Sequence, residues 1–107
     1  MKLVYAIVNS DDSTNVQIAL INAGFQVTKL ASTGGFLKAG NTTFIMGVED
    51  DKVEEAISVI EKHSKRRTQM VPAGGTYSES DYNTYPIEVS FGGATVFVTN
   101  VEDFRKL

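Results

Sequence analysis

The residues best suited to chemistry in this chain lie between Thr28 and Phe44, in TKLASTGGFLKAGNTTF, and the chemistry they suit is recognition rather than bond-making. Gly34, Gly35 and Gly40 admit positive φ angles and let a ligand approach main-chain N–H groups that a Cβ would screen. Around them stand Thr28, Ser32, Thr33, Asn41, Thr42 and Thr43, all neutral hydrogen-bonding groups, with Phe36 and Leu37 able to cover the faces of a flat ring. That mixture suits a purine. The stretch holds no carboxylate and no histidine, so proton transfer or metal chemistry centred on it would lack its usual groups. Gly-Gly and Gly-Asn also make ordinary turns, so the residues alone leave a ligand loop and a plain hairpin both open.

The remaining reactive residue types have simpler explanations. His63 is the only histidine and falls on the polar side of a helical stretch, so no metal or general-base role is expected of it. Asp11-Asp12 and Asp50-Asp51 look like carboxylate pairs, yet each precedes a helix, where capping accounts for them. Lys65-Arg66-Arg67 could clamp a phosphate, but a short charge run at a helix end reads first as a solvated face; Lys38, inside the glycine-rich loop, is the better cation. Tyr77, Tyr82 and Tyr85 serve equally as partner anchors or as packing for the segment that carries them. The chain has no cysteine, which removes disulfides, thiol nucleophiles and thiolate metal sites.

The elements that must position these groups follow from composition and periodicity. A chain of 107 residues, 42% hydrophobic and 21% charged, reads as one soluble globular domain over 1–107. Its formal net charge of −3 offers no general field for nucleic acid, so duplex binding is not expected. The apolar run Leu3 to Val8 is too short for a signal segment or a membrane span, which makes the cytoplasm the default location. That run is the first strand, and Asp12 or Ser13 is placed to cap a helix through Val16, Ala19, Leu20 and Ala23 that Gly24 ends. Phe25, Val27 and Leu30 start a second strand, the glycine-rich loop spans about 32–41, and Thr42 to Val48 is a third strand. Gly47 within it marks a place where a backbone or ligand comes close. A second helix starts at Asp50, with capping-box spacing between Asp51 and Glu54 and a stripe of Val53, Ala56, Ile57 and Ile60. About 68–85 is then a long loop without periodicity. Pro86 to Phe91 and Ala94 to Val98 are strands around Gly92-Gly93, which reads as a turn or bulge, and Val101 to Leu107 closes as a short helix. The order predicts an α+β, ferredoxin-like β-α-β-β-α-β fold with an extra hairpin, and so an extra C-terminal strand. Such a sheet leaves one face open, and the apolar strands predict that another subunit covers it.

TKLASTGGFLKAGNTTF and the later GGATVFV, in this order and separation, resemble the PII-like cyclic-di-AMP receptors of the PstA/DarA type. The opening AIV, Gly47-Val48-x-Asp50-Asp51, Tyr85-Pro86 and Glu88 extend the likeness over essentially the whole chain. The resemblance implies a homotrimer that binds the second messenger cyclic-di-AMP in clefts between subunits and relays its level through mobile loops to a downstream protein, with no catalysis and no cofactor. By match to the family's motifs, Thr28 and Asn41 would read adenine edges, Gly35, Phe36 and Leu37 would line the nucleotide, and Gly47 would offer its main chain. Gly92, Gly93 and Phe97 would contribute from the adjoining strands, Phe97 by packing on a base. The departure is at position 26, where the family often carries Arg and this chain has Gln26, losing a charge-assisted phosphate contact. That departure keeps a second reading open, a PII-type regulatory trimer that binds another adenine nucleotide or only a protein partner.

Overall fold

A computed structural model describes residues 1–30, 40–72 and 86–107. The first strand, β1 (Lys2–Asn9), turns Val4, Ala6 and Val8 to one face, where they are buried, and Leu3, Tyr5 and Ile7 to the other, where they are half-buried. β3 (Asn41–Val48) and β6 (Ala94–Asn100) flank β1 antiparallel, and the short β2 (Thr28–Leu30) adds beyond β3, giving the order β2-β3-β1-β6. The helices α1 (Ser10–Asn22) and α2 (Val53–His63) both pack on the face of Val4, Ala6, Val8, Phe44, Met46 and Val48. They add Val16, Leu20, Val53, Ala56 and Ile60 to one buried cluster. Burying a side chain of this kind is worth about 1.5–3 kcal/mol, so this cluster is what fastens the helices to the sheet. The result is a small α+β fold with an antiparallel sheet and two helices, consistent with a ferredoxin-like arrangement.

Helix ends differ from expectation in an informative way. β1 runs straight into α1, so the cap falls to Asn9, whose side chain accepts from Asp11 N at 2.8 Å, and not to Asp12 or Ser13. Asp12 is instead buried, which frees it for another partner described below. Gly24 does leave the helix with φ +95°, as predicted. α2 is preceded by a single 3-10 turn, Asp50–Lys52, and no side chain caps either segment, so the Asp51/Glu54 capping box does not form. Asp50 pairs with the Met1 ammonium at 2.8 Å, joining the residue before β1 to the 3-10 turn that follows β3.

The segment expected as a loop from 68 begins as a strand. β4 (Arg67–Pro72) pairs antiparallel with β5 (Pro86–Phe91) in a separate two-stranded sheet, and the remaining loop expectation, 73–85 with its three tyrosines, lies outside the described residues. Met70, Ile87 and Val89 are exposed on this ribbon. The sequence RTQMVP carries no apolar alternation, and the ladder with β5 pairs it along its length. The extra strand is therefore a ribbon inserted before the closing strand, not a C-terminal addition. Residues Val101 to Leu107 are not helical either; Val101 N donates to Met1 O at 3.2 Å, and seven residues with little to bury do not offset helix nucleation.

Candidate functional site

Register places Thr28, Asn41, Gly47 and Phe97 on one side of the sheet, while Gly92 and Gly93 lie in the bend that precedes β6. Thr28 lies opposite Ile45, Ile45 opposite Tyr5, and Tyr5 opposite Phe97, so one cross-strand row runs over all four strands from Thr28 to Phe97. Directly opposed residues share a face, and residues two and four apart on a strand share it too, which brings in Gly47 and Asn41. This is the face turned away from the helices. Phe97, 55% exposed, stands on it uncovered. Gly35, Phe36 and Leu37, with the rest of 31–39, lie outside the described residues.

The described candidates other than Phe97, which lines neither, divide between two clefts at opposite ends of β3. One, about 310 Å³, is lined by Gln26, Thr28, Ile45, Gly47 and Phe104 among others. The other, about 340 Å³, gathers Asn9, Asn41, Arg66, Gly92, Gly93 and Thr95. Asn41 and Gly47 are six residues apart on one strand, which at the usual rise is about 20 Å. Position 26 therefore belongs to the Thr28 end. A Cβ at Gly47 would meet nothing nearer than Met1 Sδ at 3.6 Å, so the glycine there is not required by its own chain.

The Asn41 end is built from the first turn of α1. Asn41 faces Asn9 across the ladder, setting two carboxamides side by side at the end of the sheet. Gly40 O accepts from Ser10 N at 2.6 Å, and Ser10 Oγ lies 3.2 Å from Thr42 Oγ1, so the exit of the glycine-rich stretch is tied to that turn. On the other side Arg67 Nη2 meets Asp12 Oδ1 at 2.9 Å and Nη1 meets Oδ2 at 3.3 Å. Arg67 Nη1 also donates to Lys65 O at 3.0 Å, and its guanidinium lies 4.6 Å from the centre of the Phe91 ring. The basic run is thus not simply a solvated face. It divides into Arg67, which anchors the ribbon, and Arg66, which lines the cleft.

Gly92 and Gly93 make the bend between β5 and β6 with φ +82° and +78°. A Cβ on Gly92 would stand 2.7 Å from Lys65 O and 2.9 Å from Arg67 Nη1, whereas one on Gly93 would come no closer than 3.7 Å to Arg66. The first glycine is needed for close approach of the chain to itself, and the second by its conformation alone. Asn9, Arg66 and Thr95 were not singled out as site residues from the sequence. Asn9 could have been found as the strand-end partner of Asn41, but Arg66 depended on a strand with no sequence pattern. His63 Nδ1 lies 2.9 Å from Val59 O one turn back, and among the described residues no group of three or more His, Cys, Asp or Glu could hold a metal. No described helix is long and apolar enough to cross a membrane.

A sheet that keeps its polar, aromatic and glycine positions on the side its helices leave bare points to a ligand-binding protein. The whole chain, residues 1–107, matches the family described as cyclic-di-AMP receptor, and the protein belongs to that family. This bears out the resemblance read from the two motifs. The fold is also similar to a crystal structure from Pediococcus pentosaceus described as a functionally unknown protein, at 39% identity and a TM-score of 0.74 over 99% of this chain and 96% of that one.

Proposed function

We propose that the protein is a signal-transduction receptor that binds cyclic-di-AMP at the interfaces of a homotrimer and relays its level to a protein partner through a ligand-dependent change in its loops. The observation that carries this reading is the placement of Thr28, Asn41, Gly47 and Phe97 on the sheet face that the helices do not cover. The two clefts lie at opposite ends of β3, so the Thr28 end of one subunit and the Asn41 end of the next would complete one site. There the Thr28 hydroxyl and the Asn41 carboxamide would read adenine edges, and Phe97 would stack on a base, worth about 1–3 kcal/mol per base. Glycines at 35, 47, 92 and 93 would give the nucleotide room against main chain. Nothing in this role calls for catalysis.

The relay has a physical route in the first turn of α1. Ser10 holds Gly40 and Asp12 holds Arg67, so the glycine-rich stretch and the root of the ribbon share one short helical segment. A nucleotide that favours one placement of the stretch shifts the ribbon only as far as its affinity differs between the two placements. Titration calorimetry with cyclic-di-AMP, cyclic-di-GMP, ATP and AMP tests the reading. Saturable heat with cyclic-di-AMP above the other three supports it; no heat with cyclic-di-AMP at high micromolar protein overturns it. The neutral Gln26 in the Thr28 cleft favours a second reading, a PII-type regulatory trimer for another adenine nucleotide, and preference for ATP or AMP in the same titrations would establish that one.

A further inference from the structure

Cyclic-di-AMP carries two phosphodiester anions, yet Thr28, Asn41, Gly47, Gly92, Gly93 and Phe97 are all neutral. A protein of net charge −3 offers no general attraction in compensation, so the charge falls to main-chain N–H groups and local cations, of which Lys38 lies outside the described residues. The described cations near the sheet are mostly committed. Lys2 donates to Asn100 and Lys52 pairs with Glu55. Arg67 is held by Asp12 and Phe91. Lys29 lies opposite Phe44, a residue of the buried cluster, and so belongs to the helix side of the sheet rather than the bare one. Arg66 is different: it is exposed, forms no ion pair with any described carboxylate, and lines the same cleft as Asn41, Asn9 and Thr95. Among the described residues no carboxylate lines that cleft.

We infer that Arg66 is the phosphate-gripping residue of this receptor, its guanidinium reaching a phosphodiester of the nucleotide whose base edge Asn41 reads. The inference rests on the cyclic-di-AMP reading and adds to it the source of charge. The neighbouring arginine explains how the residue is aimed. Arg67, fixed by Asp12, and Gly92, which lets the backbone at Lys65 pass, set the course of the chain between them and leave Arg66 alongside Gly93. A guanidinium presents a planar fork of donors that matches two phosphate oxygens, and such charge-assisted bonds are the stronger kind. Two adjacent arginines therefore have different tasks, one holding the ribbon and one facing the ligand.

The test is calorimetry with cyclic-di-AMP on the wild-type protein, Arg66→Gln and Arg66→Lys, each at low and high salt, with thermal melts of all three. Loss of one charge-assisted hydrogen-bonding group is worth roughly ten- to a hundredfold in Kd, so Arg66→Gln should weaken binding by that factor and flatten its salt dependence. Arg66→Lys should restore the salt dependence and part of the affinity, and the melting temperatures should agree, because the side chain has no described partner to lose. Wild-type binding with Arg66→Gln unchanged in Kd and salt dependence would overturn the role of Arg66 while leaving the receptor reading intact. Absence of wild-type binding would overturn both.

Discussion

Asp12 and Arg67, 55 residues apart, meet in a two-pronged ion pair that joins the first turn of α1 to the first residue of β4. The carboxylate is largely buried and the guanidinium is partly exposed, so water screens only one of the partners. Asp12→Ala should lower the free energy of unfolding by about 1–3 kcal/mol, because it strands a guanidinium whose other contacts are a carbonyl and a ring. Denaturant titration measures it, and a change within about 0.5 kcal/mol, typical of surface sites, would show the pair to be incidental.

The two glycines of the β5–β6 bend should respond unequally. Alanine at either position incurs the left-handed backbone cost of about 1–2 kcal/mol, but only Gly92→Ala also forces Lys65 O and Arg67 away from a new methyl group. Gly92→Ala should therefore be the more destabilising in thermal melts. Equal shifts would mean that the close approach at Gly92 does not constrain the fold.

Phe44 and Phe97 separate stability from recognition. Phe44 is fully buried between the sheet and the helices, and Phe44→Ala should cost about 3–5 kcal/mol of stability. Phe97 is mostly exposed on the bare face, so Phe97→Ala should leave the melting temperature nearly unchanged and weaken cyclic-di-AMP roughly tenfold or more through lost stacking. Strong destabilisation with unaltered affinity would reverse the assignment.

Asp50 gives the fold a small acid sensitivity. A hydrogen bond from the Met1 ammonium, then the charge of that ammonium, hold its carboxyl below the ordinary range, with Lys2 adding less and slight desolvation opposing. A carboxylate whose pKa is depressed in the folded state stabilises above its unfolded pKa, and that contribution is lost as pH falls through the folded value. Asp50→Asn should flatten the acid limb of a stability profile while leaving its shape at neutral pH. An unchanged acid limb would mean that the pair is open in solution.

The sequence was most legible where burial imposes a period. Both helices could be read because Val16 and Leu20, and Val53, Ala56 and Ile60, repeat at the spacing of the face they bury, whereas β1 and β3 could be read as apolar, β-prone runs; β1 reads as buried on both faces, and the structure buries only the face of Val4, Ala6 and Val8. β4 was not legible, since Arg67–Pro72 carries no apolar alternation and its pairing with β5 shows only in the register. The family was legible because two long motifs carry it; Thr28, Asn41 and Phe97 were proposed as site residues from those motifs, and Gly47 from its place inside a strand and in the adjoining Gly47-Val48-x-Asp50-Asp51 match. Their common face was invisible until register was known. Arg66 was passed over for a related reason: as one of three successive basic residues it has no individual signal, and only the ion pair of Arg67 with Asp12 distinguishes the two arginines.

Occupation by cyclic-di-AMP of the face of the sheet opposite the helices is read most directly by titrating the nucleotide into isotope-labelled protein and following backbone amide resonances by NMR. The largest shifts are expected at Thr28, Asn41, Gly47, Gly93 and Phe97, with little change at Ile18 and Ile21, which are exposed on α1. Shifts confined to α1 and α2 would contradict that occupation, as would a spectrum that does not change at saturating ligand.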